Sequence, residues 1–156
     1  MRVVLDTSAF IYLNDFSKFE EILTVPEVLE EAKDRVSILK ISATKIKLKE
    51  PNLNSIMDVT KAAKETGDLD RLSSTDIKIL ALAKSTGSII ITDDYSIQNV
   101  AEKIKIPYLS IFNKKISKLI IWKKFCRNCR KEYSDKEKVC KICGTKLTRI
   151  PKESKK

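Results

Sequence analysis

The sequence predicts a three-layer α/β domain with a mainly parallel sheet, followed by a small unit held by metal rather than by a core. Three observations predict it. Short apolar runs at residues 3–5 and 88–92 end in carboxylates, Asp6 and Asp93/Asp94, as strands buried on both faces of a parallel sheet can do. Helical patterns stand between those runs in a β-α-α…β-α-β order, which a parallel sheet with right-handed crossovers accommodates. Two Cys-x-x-Cys pairs then follow, Cys126/Cys129 and Cys140/Cys143.

The elements justify themselves in order. Val3-Val4-Leu5 is a strand that stops at Asp6, and Thr7-Ser8 opens a helix over about 8–15. A strand that ends in Asp and turns directly into a helix sets that Asp at the carboxyl edge of the sheet, where open α/β sheets bind ligands. Pro26 suits the first position of a helix running on through Glu27 to Arg35, with Val28, Leu29 and Ala32 inward. Residues 37–44 read as a further short helix, and the alternation of 45–49 as a half-exposed strand. After Pro51-Asn52 an amphipathic helix turns Ile56, Val59 and Ala63 inward and ends at Gly67. Ser73-Ser74-Thr75-Asp76 opens the clearest helix, with Asp76 in its first turn and Gly87 at its end. A buried strand over 88–92, a helix over 97–105 and a strand over 107–112 complete the domain.

Composition narrows the chemistry. Of 156 residues 42% are hydrophobic, and Gly and Pro are few, which is a folded and not a disordered composition. No leader peptide is expected, because residues 2–5 already read as strand, and no apolar run, 119–122 included, is nearly long enough to span a membrane. A cytoplasmic protein is expected. The net charge of +10 is uneven. Residues 1–110 hold 15 basic and 17 acidic side chains, while 111–156 hold 16 and 4. A neutral body with a strongly basic end points to a nucleic-acid partner. Histidine is absent, which excludes a His base, Ser-His or Cys-His catalysis and His-ligated metal. The three glycines form neither a dinucleotide nor a Walker loop.

Two knuckles ten residues apart, with no other cysteine, read as one tetrahedral structural Zn²⁺ on Cys126, Cys129, Cys140 and Cys143. About 25 residues cannot build a useful core alone, so metal binding there is folding. Gly144 follows the second knuckle where a tight turn is needed. An iron centre could use the same ligands, whereas two disulfides do not suit a reducing compartment.

Acids recur at matching places: Asp6 and Asp93/Asp94 at strand ends, Glu31 and Asp76 in helices. Carboxylates converging in a histidine-free site repel one another unless a hard divalent cation lies between them. Mg²⁺ or Mn²⁺, one or two ions, can then activate water and neutralise a phosphodiester transition state.

At these residues the chain resembles the PIN-domain nucleases. More closely it resembles the Nin-one-binding family, archaeal and eukaryotic endonucleases that mature the 3′ end of small-subunit ribosomal RNA. The carrying segments are VVLDTSAF (3–10), VLEEAKDR (28–35), LSSTDIKILALA (72–83), TDDYSIQNVA (92–101), WKKFCRNC (122–129) and VCKICG (139–144). The resemblance implies a PIN-like (Rossmann-like) domain over 1–113, a basic connector over 114–124, a zinc ribbon over 125–150 and a disordered basic tail over 151–156. It implies Asp6, Glu31, Asp76 and Asp94 as the acids that hold Mg²⁺ or Mn²⁺. Asp93 is an alternative or companion to Asp94, and Glu30 an alternative to Glu31; the spacing to Asp34 favours Glu31, and T-x-D from Thr92 favours Asp94. The absence of the long eukaryotic insertions looks like the compact archaeal form. The implied substrate is precursor small-subunit rRNA within the pre-ribosomal subunit and its assembly factors, cut to 5′-phosphate and 3′-hydroxyl ends.

Phosphate contacts are expected from Lys123, Lys124, Arg127, Arg130 and Lys131, with Trp122, Phe125 and Tyr133 as stacking partners or as packing of the zinc unit. Two other readings compete: a toxin-type PIN ribonuclease and a non-catalytic RNA-binding assembly factor. The appended ribbon argues against the first, the full acid set against the second.

Overall fold

The computed structural model of the chain describes residues 1–32, 46–134 and 137–152. Its main sheet holds β1 (Arg2–Leu5), β2 (Glu21–Thr24), β3 (Ile46–Leu48), β4 (Ile89–Ile91) and β5 (Tyr108–Leu109) in the order β3-β2-β1-β4-β5. Every neighbouring pair is parallel, with Val3 opposite Ile22 on one side and Ile89 on the other. Strand order therefore reverses between β1 and β4, which makes the carboxyl ends of those two strands the switch point.

Five helices connect the strands among the described residues: α1 (Thr7–Tyr12), α2 (Pro26–Glu31), α3 (Leu53–Thr66), α4 (Ser74–Thr86) and α5 (Tyr95–Lys103). Right-handed crossovers place α1 and α2, which pack on each other, on one face of the sheet. The reversal sends α3, α4 and α5, also mutually packed, to the other face. Three layers result. Val3, Val4, Leu5, Ile90, Phe10 and Val28 are fully buried within them. The centre of the second helix layer is α4, whose Ile79, Leu80, Ala81 and Leu82 are all fully buried; a helix apolar on every side belongs inside.

Several boundaries differ from the sequence expectations. The first helix ends at Tyr12, because Leu13 leaves helical geometry as its C-cap. Residues 21–24 form a strand that the sequence did not reveal: a four-residue run between helix signals has no legible period. The α2 helix stops at Glu31, with Ala32 as C-cap. Asp34, the expected helix continuation to Arg35 and the helix over 37–44 lie outside the described residues. The last helix begins at Tyr95, two residues earlier than its apolar stripe, because Asp94 caps it.

A second sheet, β6 (Trp122–Phe125), β7 (Glu132–Tyr133) and β8 (Thr148–Pro151), is antiparallel in the order β7-β6-β8. It starts within the segment read as connector, and Pro151 of the segment read as tail pairs with Trp122. No helix among the described residues is long and apolar enough to cross a membrane.

Candidate active site and cysteine centre

The acids gather at the switch point, each fixed by the start of an element. Asp6 follows β1 directly and caps α1, its Oδ1 accepting the Ala9 N–H at 2.6 Å and the Ser8 hydroxyl at 2.9 Å. It is 4% exposed. Burial pushes its carboxyl above the usual Asp value, against the hydrogen bonds from Thr92, Ala9 and Ser8 and with a further push from Asp76. Asp76 closes a capping box: its Oδ2 accepts the Ser73 N–H and hydroxyl, both at 2.8 Å. Burial raises Asp76 too, and the charges of Asp94 and Glu31 add to the rise.

Glu31 stands at the last position of α2 and is held from two other elements. Its Oε2 accepts from the Thr7 hydroxyl at 2.5 Å and its Oε1 from the Thr75 hydroxyl at 2.7 Å. Asp94 caps α5, its Oδ1 accepting the Ser96 N–H at 2.6 Å, while its own N–H donates to the Thr92 hydroxyl. Asp6, Glu31, Asp76 and Asp94 thus come from four segments and act on one another through Asp76.

Asp93 turns the other way. Both its oxygens serve the segment after β5, accepting the Ser110 hydroxyl at 2.8 Å and the N–H groups of Ile111, Phe112 and Asn113 at 2.9–3.2 Å. Burial works to raise its carboxyl, but these bonds together hold it below the usual Asp value. Glu30 is exposed and shares with Glu27, Glu31 and Thr75 the lining of a shallow depression. Sequence reasoning missed the three hydroxyls of Thr7, Thr75 and Thr92 as positioners, although each stands within two residues of an acid it serves or its neighbour.

The cysteines form a tighter group. Their four Sγ atoms lie within 4.8 Å of one another, and Cys126 Sγ is 3.6 Å from Cys143 Sγ. Thiolates about 2.3 Å from a tetrahedral Zn²⁺ are spaced about 3.8 Å apart, so the set fits that ion. The two knuckles are built alike. Arg130 N–H donates to Cys126 C=O at 2.8 Å, and Gly144 N–H to Cys140 C=O at 2.9 Å. Backbone N–H groups of Cys129 and Ile142 point at Cys126 Sγ and Cys140 Sγ, each at 3.4 Å. Arg130 (φ 55°) occupies the left-handed position that Gly144 (φ 70°) fills in the second knuckle. The four-cysteine unit fits a zinc ribbon.

The acids are more open than the thiolates. Among the described residues, only the four cysteines bring three or more ligating atoms within 4.8 Å. That suits a small hard cation that keeps several waters. Hard oxygen donors and mutual repulsion both fit such an ion, and among the described residues Asp76 Oδ1 and Asp94 Oδ2 carry none of the cap bonds.

The expected RNA contacts divide. Lys123 pairs with Glu132, and Lys124, largely buried, pairs with Asp70 at 2.5 Å. Arg127, Arg130 and Lys131 are exposed. Of the aromatics, Trp122 is covered by the Arg149 guanidinium, 4.4 Å from the ring centre. The Tyr133 hydroxyl lies 3.1 Å from Cys140 Sγ, a contact that pushes it up to about 12. Both pack on the ribbon.

Residues 3–85 match the family model for the PIN domain of ribonuclease. The chain is 41% identical over 151 residues to Endoribonuclease Nob1 of Methanocaldococcus jannaschii, covering 94% of this chain and 76% of that protein. It is 37% identical to Endoribonuclease Nob1 of Archaeoglobus fulgidus, with 91% and 86% covered. It is 36% identical to Ribonuclease VapC1 of Thermoplasma acidophilum, with 96% and 78% covered.

Proposed function

This chain belongs to the PIN-domain ribonuclease family and is a hydrolytic endoribonuclease, and on that premise we propose that it cuts precursor small-subunit rRNA to form its mature 3′ end. The observation that carries the site is geometric: Asp6 and Asp94 cap the helices that leave β1 and β4 at the switch point, and Glu31 is tied to Thr7 beside Asp6 and to Thr75 beside Asp76. These four would hold one or two Mg²⁺ or Mn²⁺ ions, and Cys126, Cys129, Cys140 and Cys143 one Zn²⁺. A divalent cation supplies Lewis-acid stabilisation of charge developing on the phosphate and eases ionisation of the attacking water.

The chain's own part is preorganisation. Helix caps pin one oxygen of Asp6, Asp76 and Asp94. Two threonine hydroxyls lock Glu31 between α1 and α4. The carboxylates therefore need little rearrangement when the substrate arrives. Asp93 serves as a positioning residue that fastens the 110–113 segment beside the site, and Glu30 stays at the rim. Arg127, Arg130 and Lys131 of the ribbon contact phosphates. The chain works in the cytoplasm on the pre-ribosomal small subunit with its assembly factors.

The test is to incubate the protein and Mn²⁺ with an RNA spanning the small-subunit 3′ end and map the cut. A single cut at the mature end with 5′-phosphate and 3′-hydroxyl products supports the reading. Equal cutting of unrelated RNA would favour the toxin-type ribonuclease instead.

A further inference from the structure

A cleft of about 540 Å³ opens beside the acid site, in the range of pockets that hold small ligands, about 300–1,000 Å³. It lies between α5, the connector and the ribbon, with Tyr95, Lys114, Lys115, Lys118 and Trp122 among its lining.

Its walls are fixed by buried polar side chains of α5. Gln98, fully buried, accepts the Ile116 N–H at 3.1 Å and donates to the Thr92 carbonyl at 3.1 Å. Asn99, 3% exposed, accepts the Ile120 N–H at 2.8 Å and donates back to the Ile120 carbonyl at 2.7 Å. The connector is thereby clamped at two points, and Lys114, Lys115 and Lys118 are carried on or beside the clamped stretch. Among the described residues, none of the three lysines has a carboxylate partner, unlike Lys123 and Lys124. Lys115 instead lies 5.5 Å over the Tyr108 ring.

The cleft joins the acid site through one hydrogen-bonded turn. Tyr95 and Ser96, both in its lining, follow Asp94 directly, and the Ser96 N–H is the donor that caps Asp94. Tyr95 is 54% exposed at that junction. Trp122 is less available, since Arg149 covers its face. A carboxylate cluster alone repels a polyanion, so a strand drawn to the acids needs cations close by to offset that repulsion. An exposed aromatic ring flanked by unpaired lysines is the combination that binds single-stranded nucleic acid.

Resting on the endoribonuclease reading above, we infer that this cleft seats one unpaired nucleotide of the RNA strand next to the scissile phosphate. Its base stacks on Tyr95, and Lys114 and Lys118 neutralise its flanking phosphates. An acidic protein segment would use the lysines but not the ring.

Trp122 is the chain's sole tryptophan and lines the cleft, so it reports occupancy directly. Full-length protein with its zinc retained and no Mg²⁺ or Mn²⁺ added is titrated with hexauridylate while tryptophan fluorescence is read, and KM and kcat are then measured with Mn²⁺ on a short RNA. Hexauridylate should quench Trp122. Tyr95→Ala should weaken binding and raise KM roughly tenfold with kcat little changed, and Tyr95→Phe should restore both. The double variant Lys114→Ala/Lys118→Ala should reduce the salt dependence of log affinity by about 1.4, about 0.7 for each lost contact. Unchanged affinity in Tyr95→Ala overturns the proposal, as does quenching by hexaglutamate equal to that by hexauridylate. Wild-type protein that binds hexauridylate in the expected way yet cuts no RNA leaves the nucleotide seat standing and overturns the nuclease reading.

Discussion

Arg149 reaches from the ribbon strand β8 to Asp68 at the end of α3, Nη2 to Oδ1, at 2.5 Å. Asp68 is 1% exposed, and its other oxygen accepts from Asn99 at 2.6 Å. Because Asn99 also clasps the Ile120 backbone, the α3 end, α5, the connector and the ribbon all meet at one buried carboxylate. Removing one partner of such a pair strands the other charge. Arg149→Ala is expected to cost about 3 kcal/mol, near the lower end for a buried pair since Arg149 is partly exposed. Urea unfolding followed by Trp122 fluorescence measures it; an unchanged midpoint would make the contact a bystander.

Two glycines make a matched control for the same interface. Gly67 and Gly87 both end helices at positive φ, 74° and 64°. A Cβ at Gly67 would come within 2.8 Å of the Trp122 carbonyl, whereas one at Gly87 meets nothing within 4 Å. Gly87→Ala is therefore expected to lose only the left-handed strain, about 1–2 kcal/mol. Gly67→Ala should lose that and also displace β6, seen as a larger stability loss together with a shift in Trp122 emission. Equal losses with unshifted emission would mean that the ribbon moves aside freely.

The acid site sets a pH and cation dependence. Asp6 and Asp76 titrate above their unfolded value of 3.8, so the folded protein holds their protons more tightly than the unfolded chain. Their contribution to stability is present at low pH and is lost as pH rises through the raised folded values. Near neutrality the cation-free protein carries that penalty. Asp6→Asn, which can still cap α1, is expected to raise cation-free stability by on the order of 1 kcal/mol, about 2–4 °C in Tm. It should also abolish cleavage and blunt the rise in Tm that Mn²⁺ gives the wild type. A thermal scan with and without Mn²⁺ at pH 7 decides the matter: an Asp6→Asn protein that gains as much from Mn²⁺ as wild type does would remove Asp6 from the ligand set.

Much of this was legible in the sequence because strand ends and caps carry their own signals. Asp6 after Val3-Val4-Leu5, Asp76 three residues after Ser73, and Gly67 and Gly87 after apolar stripes all stand where local chemistry placed them. Asp6 does two jobs at once, since its Oδ1 caps α1 while the group lies among the acids. What was illegible depended on distant partners. Nothing local says that Asp93 will spend both oxygens on residues 110–113, or that Lys124 will meet Asp70. Gln98 and Asn99 offered a hint, as two amides inside the apolar run Ile97–Ala101, but their partners lie far along the chain.

Adjacent Asp93 and Asp94 should separate by phenotype. Asp94→Asn keeps a cap acceptor for Ser96 but removes a charge facing Asp76, so cleavage should fall at least a hundredfold with the fold intact. Asp93→Asn leaves that charge in place and weakens the four-donor clamp on 110–113, costing about 1–3 kcal/mol of stability and less activity. Single-turnover cleavage and chemical denaturation on both variants test the split. If Asp93→Asn is the harsher for cleavage at full stability, the acid assignment between the two must be reversed.

Loss of metal from the cysteine centre should reach the PIN domain only through the Arg149 and Trp122 contacts. Cys140→Ser removes one of four sulfurs gathered within 4.8 Å and one end of the Tyr133 contact. Metal binding is most of such a unit's folding energy, so the 122–151 sheet should come apart locally. Two opposing consequences follow for the PIN domain. Its own sheet and helix layers have a complete core that needs no ribbon residue, so it should remain folded. Yet Arg149 and Trp122 would leave Asp68 and Gly67, exposing a buried carboxylate and one end of α3. The balance predicts a folded PIN domain of reduced stability, with a loss below the about 3 kcal/mol assigned to Arg149→Ala, because the freed Asp68 carboxylate is hydrated and not stranded. Cleavage of a short unstructured RNA should survive at high substrate concentration, while tight binding of a long rRNA fragment should be lost with the ordered basic surface. Zinc chelation followed by resupply of Mn²⁺ should reproduce both effects. Paired titrations on the short and long RNAs, with circular dichroism melts of the same samples, distinguish the outcomes. Parallel loss of activity on both RNAs with a collapsed melt would show that the ribbon supports the catalytic fold itself and does not merely dock on it.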